Sequence, residues 1–189
     1  AALLSGDRVL ATAQEPMARG QAERLMVLLE EVLDQRGARW RDLDRIGVGV
    51  GPGNFTGIRI SVAAARGLAL GLTIPAEGVT APEAYAAGRD VIVCLPAPRD
   101  MVHFAYRDRI EVAAPDAIPA GWSALLTGPA AARVSALTGR AVEPTQTLAV
   151  QIARLAATRA APGRPRAAPV YLRPADAAPA SDTPPMILP

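Results

Sequence analysis

Apolar residues recur along this chain with two periods, and their alternation predicts an α/β architecture. Residues 1–4 and 8–12 are short apolar runs around Ser5-Gly6-Asp7, the pattern of two strands joined by a tight turn. From Gly20 the period lengthens: Ala22, Leu25, Leu28, Leu29, Val32 and Leu33 return every three or four positions until Gly37 supplies a stop, which predicts a helix. With Met26 these side chains cover an arc of about 160°, wider than the ~100° needed to face one core, so the helix has a second packing surface to offer.

Residues 46–50 predict a strand that runs into the turn Gly51-Pro52-Gly53-Asn54, and a helix follows over about 56–72. Glycines at 49, 51 and 53 permit positive φ and close approach, while Asn54 and Thr56 can cap the first helical amides. The helix carries only two charges, Arg59 and Arg66, on one stripe. Ala63, Ala64, Gly67 and Gly71 make a small-residue face, and Ile58, Val62, Ala65, Ala69 and Leu72 an apolar one. A helix apolar nearly all round is normally covered on both sides. The small face suits close packing on a sheet, which leaves the larger apolar face for a second helix pair, supplied by a partner or by a second lobe.

Thr80-Ala81-Pro82-Glu83 reads as a capped start for a short helix over 83–87. Residues 91–95 form a buried-strand run, and 102–107 and 109–113 alternate as two more strands about Asp108. A strand over 122–127 and helices over 129–137 and 147–158 complete the pattern. Proline then dominates: 162–169 reads as a linker, 170–173 as a brief ordered motif and 174–189 as a Pro/Ala-rich tail.

Half of the 189 residues are apolar, enough to bury a core. Lysine is absent, which closes Schiff-base chemistry and a phosphate-loop lysine. A formal charge of +2 and an aromatic content of 4% give no footprint for nucleic acid. Cys94 is the only cysteine and His103 the only histidine, so neither a disulfide framework nor a multi-Cys/His zinc site can form, and a reducing cytoplasm is the expected compartment. No uninterrupted apolar stretch reaches the roughly 18 residues of a membrane span, and no membrane is expected as a partner.

The glycine turn fits neither common phosphate template. A dinucleotide fingerprint counted from Gly49 needs glycine where Asn54 stands, and a phosphate loop needs Lys-Ser/Thr where Ile58 follows Gly57. The turn is therefore read chiefly as close packing, with Gly51, Gly53, Thr56 and Gly57 as the residues of a remnant cofactor site. Cys94 and His103 form a candidate nucleophile pair, against which stands the ordinary reading of a small thiol buried in an apolar strand. Glu30, Glu31 and Asp34 crowd the polar side of the first helix, and a solvated face explains them better than a cation site. No catalytic or metal-binding residue is assigned.

Residues 49–59 (Gly-Val-Gly-Pro-Gly-Asn-Phe-Thr-Gly-Ile-Arg), then Ala65-Arg66-Gly67-Leu68-Ala69-Leu70 and Ile74-Pro75, resemble the signature of the TsaB family, also called YeaZ. Gln21-Ala22-Glu23-Arg24-Leu25, Asp42-Leu43-Asp44-Arg45-Ile46 and Pro169-Val170-Tyr171-Leu172-Arg173 add to the likeness, which is dense before residue 85 and sparse over 96–165. The resemblance implies an actin-like (ASKHA, RNase H-like) fold of two lobes, with mixed sheets flanked by helices. Residues 1–90 would form the N-terminal lobe with the partner-binding helices, 91–173 the second lobe and 174–189 the tail.

In function it implies a non-catalytic subunit in the glycoprotease-like group, needed for the threonylcarbamoyladenosine modification of tRNA. The subunit would dock on TsaD or on itself through its first two helices, with the ATPase TsaE joining and tRNA reached only through the complex. Leu25, Met26, Leu29 and Leu33 on the first helix and Ile58, Val62, Ala65 and Ala69 on the second are the expected interface residues, burying about 1,600 Å² if the interface is of standard size. No cofactor is expected on this chain itself, and ATP or ADP is left to the boundary with TsaD. The rival is an actin-like ATP-using or peptidase-like enzyme.

Three departures from the family pattern accompany the likeness. No histidine stands on the helix over 21–35, where TsaD carries its metal ligands, and this agrees with a non-catalytic subunit. Pro96-Ala97-Pro98 replaces the usual Asp-Ala-Arg, which predicts a reshaped hairpin before Val102. The family's first strand, with its acidic residue, has no counterpart in these residues.

Overall fold

The computed structural model describes residues 1–145, 147–159 and 166–172. β1 (Ala2–Ser5) and β2 (Arg8–Thr12) form the expected antiparallel hairpin. α1 (Gln21–Asp34) follows and lays Val32 and Leu33 on Leu3 and Ala11 of that hairpin, with Trp40 and Leu43 packed at the edge. A short 3-10 turn, Trp40–Asp42, leads into β3 (Ile46–Gly51). α2 (Phe55–Leu72) then returns the chain to β4 (Ala76–Thr80), which pairs parallel with β3.

β4 is a strand that the hydrophobic pattern did not announce. Glu77 and Gly78 interrupt it, yet Glu77 is buried beside Arg45, 3.5 Å away, and Gly78 makes room for a close neighbour. Thr80 caps α3 (Ala81–Ala86) by accepting from the Glu83 amide at 3.3 Å, as the Thr-Ala-Pro-Glu pattern predicts.

The second half is a four-stranded sheet in the order β7-β6-β5-β8, from β5 (Val91–Pro96), β6 (Val102–Tyr106), β7 (Arg109–Ala113) and β8 (Leu125–Thr127). β5 is parallel to β8 and antiparallel to β6. One face buries Ile92, Cys94 and Phe104 against Trp122 and α4 (Ala131–Thr138). The other buries Val91, Val93, Leu95 and Ala105 beneath α3. The turn after Pro96 is tight, with Arg99 and Asp100 both at positive φ, and Arg133 holds Asp100 from α4 at 2.6 Å.

The chain then crosses back. α5 (Leu148–Thr158), expected in a second lobe over 91–173, packs instead on β1, β3 and β4. A side chain at Gly47 would strike Ala156 at 2.8 Å, and one at Gly49 would touch Ile152 at 3.2 Å, so these glycines let the helix lie close on β3. Residues 166–172 return with it. They fall partly in the expected 162–169 linker, yet Ala167 is buried in one cluster with Val48, Val50, Ile58, Val62 and Ala65. The burial of apolar side chains outweighs the proline-rich composition here. The expected tail over 174–189 lies outside the described residues.

Candidate functional site

The glycine turn closes on its own chain. Gly51 sits at φ +104°, and a Cβ there would lie 2.8 Å from both Ile58 Cδ1 and the Val170 carbonyl oxygen. The Val170 amide donates to the Val50 carbonyl at 2.7 Å, so the 166–172 strap covers the carboxyl end of β3. Asn54 Oδ1 accepts from the Gly57 amide at 2.7 Å, which satisfies one of the donors an anion would need. Of the four expected cofactor residues, Gly51 and Gly57 are thus engaged by the chain's own atoms, while Gly53 and Thr56 are exposed.

Where the strap meets α2, an aromatic and cationic cluster forms. The Tyr171 hydroxyl accepts from Arg59 Nε at 2.8 Å, the Phe55 and Tyr171 ring centroids are 5.0 Å apart, and Arg59 Cζ lies 3.8 Å over the Phe55 ring. Stacking and the hydrogen bond together fix a guanidinium at the surface.

A cleft of about 420 Å³ opens between the two halves, bounded by Pro52 and Val170 on one side and Tyr106, Arg107 and Ile110 on the other. Its charges are largely spent. Arg89 donates to the Tyr85 and Ala86 carbonyls and to Glu143 at 2.6 Å, and Asp90 receives Tyr106 Oη at 3.2 Å and Arg107 at 3.4 Å.

The candidate nucleophile pair is not assembled. Cys94 stands opposite Phe104 and His103 opposite Leu95 in the β5–β6 register, so the thiol and the imidazole point to opposite faces of the sheet. Burial pushes the Cys94 thiol up to about 12, which keeps it protonated and unreactive in the folded chain. Among the described residues no group of three or more His, Cys, Asp or Glu is placed to hold a metal. On α1, Arg24 bridges Glu15 and Glu31, both at 2.5 Å, and holds their carboxyls below the usual range.

α2 faces the other way from the expectation. Ile58, Val62, Ala65 and Ala69, assigned to a partner, are buried, the first three against Val48 and Val50. Leu33 is likewise buried under the hairpin. Ile58 and Val62 bury more apolar area on the sheet than the Ala and Gly residues of the other face would, and this decides the orientation. The small-residue face is open: nothing lies within 4 Å of a Cβ placed at Gly67 or Gly71, and Leu70 beside them is 83% exposed. On α1, Met26 and Val27 are exposed, and Leu25 and Leu29 are half-buried.

α2 is long and apolar enough to cross a membrane by length and composition, yet only 22% of it is buried in this fold. The Arg59/Arg66 stripe and the small-residue face with Ala63 followed from spacing, but their outward direction, together with Phe55 and Leu70, did not, because periodicity locates two faces without telling which one the sheet takes. Residues 170–172 of the strap fall in the expected ordered motif, whereas 166–169 read as linker because alanine and proline give no period.

The family described as TsaD: tRNA N6-adenosine threonylcarbamoyltransferase matches residues 13–119. The Escherichia coli protein named tRNA threonylcarbamoyladenosine biosynthesis protein TsaB is 37% identical over 62 residues, 33% of this chain and 27% of that protein. A Paracoccus denitrificans tRNA N6-adenosine threonylcarbamoyltransferase is 46% identical over 65 residues, 34% of this chain and 18% of that protein. The matched stretches thus span about a quarter or less of these relatives. The solved structure of YeaZ from Pseudomonas aeruginosa superposes with a TM-score of 0.71 at 24% identity, covering 90% of this chain and 92% of that one, which shows a shared fold.

Proposed function

The chain belongs to the TsaD family, in its TsaB (YeaZ) branch, and from that premise we propose that it serves tRNA threonylcarbamoyladenosine formation as a non-catalytic subunit that docks on TsaD. The observation that carries the docking part is the outward face of α2, an 18-residue apolar helix of which 22% is buried. A face made of Ala63, Gly67, Gly71 and Leu70 allows close approach of another helix, and α1, which packs against α2, exposes Met26 and Val27. The buried Cys94 thiol and its separation from His103 support placing the chemistry on the partner. TsaE, tRNA and any ATP or ADP would then be met in the complex, in the cytoplasm.

Paired substitutions on one helix test this. Leu70→Glu adds a charge to the outward face and is expected to abolish co-purification with TsaD while leaving the melting temperature unchanged. Val62→Glu buries the same charge against Val48 and Val50 and is expected to unfold the chain. Retained binding by a folded Leu70→Glu variant would refute docking through this face. Robust ATP or peptide hydrolysis by the isolated chain would favour the enzyme reading instead.

A further inference from the structure

We propose that the 166–172 strap belongs to the docking surface, where it builds with α2 an aromatic–arginine cluster that fits an apolar partner surface bearing carboxylates. The inference rests on the reading of α2 as the docking helix. Ala167 is sealed in the core of the first half and the Val170 amide is bound to Val50, so the strap is fixed at two points before Tyr171 reaches α2. There the Arg59 guanidinium is held between the Phe55 ring and the Tyr171 hydroxyl. Phe55 and Tyr171, which hold it, and Val170 and Leu172 on either side of Tyr171 in the strap are each partly exposed, at 37–41%.

The cluster is continuous with the outward stripe. Phe55, Arg59, Arg66 and Leu70 follow one another at spacings of four, seven and four residues, which keeps them on one side of α2. A partner covering Leu70 and the small residues beside it therefore meets the cluster at the other end of the helix.

Charge identifies what that partner presents. α2 contains no acidic residue, and among the described residues neither Arg59 nor Arg66 forms a salt bridge. Covering two guanidinium groups without counter-charges would strand them away from water, so the surface that covers them supplies carboxylates. A stacked, hydrogen-bonded guanidinium is preorganised for that contact.

The test is titration of the full chain with TsaD at low and at physiological ionic strength. Arg59→Met is expected to weaken binding about tenfold and to flatten its salt dependence, because a counter-charge loses its partner. Tyr171→Ala is expected to weaken it about tenfold and Tyr171→Phe, which keeps the ring, less than about threefold. Arg59 is exposed, so Arg59→Met reads the cluster even where Tyr171→Ala loosens the strap. If Leu70→Glu abolishes binding while Arg59→Met and Tyr171→Ala bind within about twofold of the unaltered chain, the cluster lies outside the interface and the inference fails alone. An unchanged salt dependence in Arg59→Met would overturn the acidic partner surface. Full binding by Leu70→Glu would bring down the docking reading and this inference with it.

Discussion

Gly51 shows how one missing side chain organises the start of α2. Its φ of +104° is open to glycine, and the space a Cβ would take is filled by Ile58 Cδ1 and the Val170 carbonyl oxygen, each at 2.8 Å. Gly51→Ala must therefore strain the backbone and push the strap or Ile58 aside together. A loss of about 2–4 kcal/mol in unfolding free energy is expected from the two effects. Chemical denaturation measures it, and a change below about 1 kcal/mol would mean that the strap yields easily. Asn54 at the next step of the turn was legible from its type alone, since a cap needs only a short acceptor at the right spacing. The strap contact was not legible, because Val170 lies more than a hundred positions away and a carbonyl oxygen leaves no mark in the sequence.

At the scale of elements, α2 separates what periodicity can tell from what it cannot. The existence of the helix, its cap and its two faces followed from spacing. Which face met the sheet depended on the volume left between Val48, Val50 and Ala167, and Ile58, Val62 and Ala65 fill it. β4 was hidden for a related reason: Glu77 is tolerated inside because Arg45 stands beside it, and Gly78 because Ala167 packs there. The open glycines make the outward face testable at the same scale. A Cβ at Gly67 meets nothing within 4 Å, so Gly67→Ala should raise stability by about 0.5–1 kcal/mol through helix propensity. Where a partner helix approaches closely, the same methyl group holds it off. Thermal unfolding and titration with TsaD are thus expected to move in opposite directions, and equal affinity would exclude Gly67 from the tight part of the contact.

Across the whole molecule, the two halves are stabilised in different ways. β5 and β6 are central strands covered on both faces, with Ile92, Cys94 and Phe104 fully buried on one and Val93 and Ala105 on the other. β1–β2 and β3–β4 are separate two-stranded ladders, and such pairs are marginal alone. What joins them is α5, which lies on β1, β3 and β4 and sets Ile152 among Val79, Ala84 and the glycines of β3. Amide exchange under native conditions should therefore be slowest in β5 and β6 and faster in the β1–β2 hairpin. Ile152→Ala removes the keel at a cost of about 2–4 kcal/mol and is expected to accelerate exchange in both ladders while β5 and β6 keep most of their protection. Because α2 and the strap are seated on β3, the same variant should also weaken partner binding without touching the outward face. Uniform acceleration in every strand would instead mean that the halves unfold as one unit and that α5 is no more critical than any other core helix.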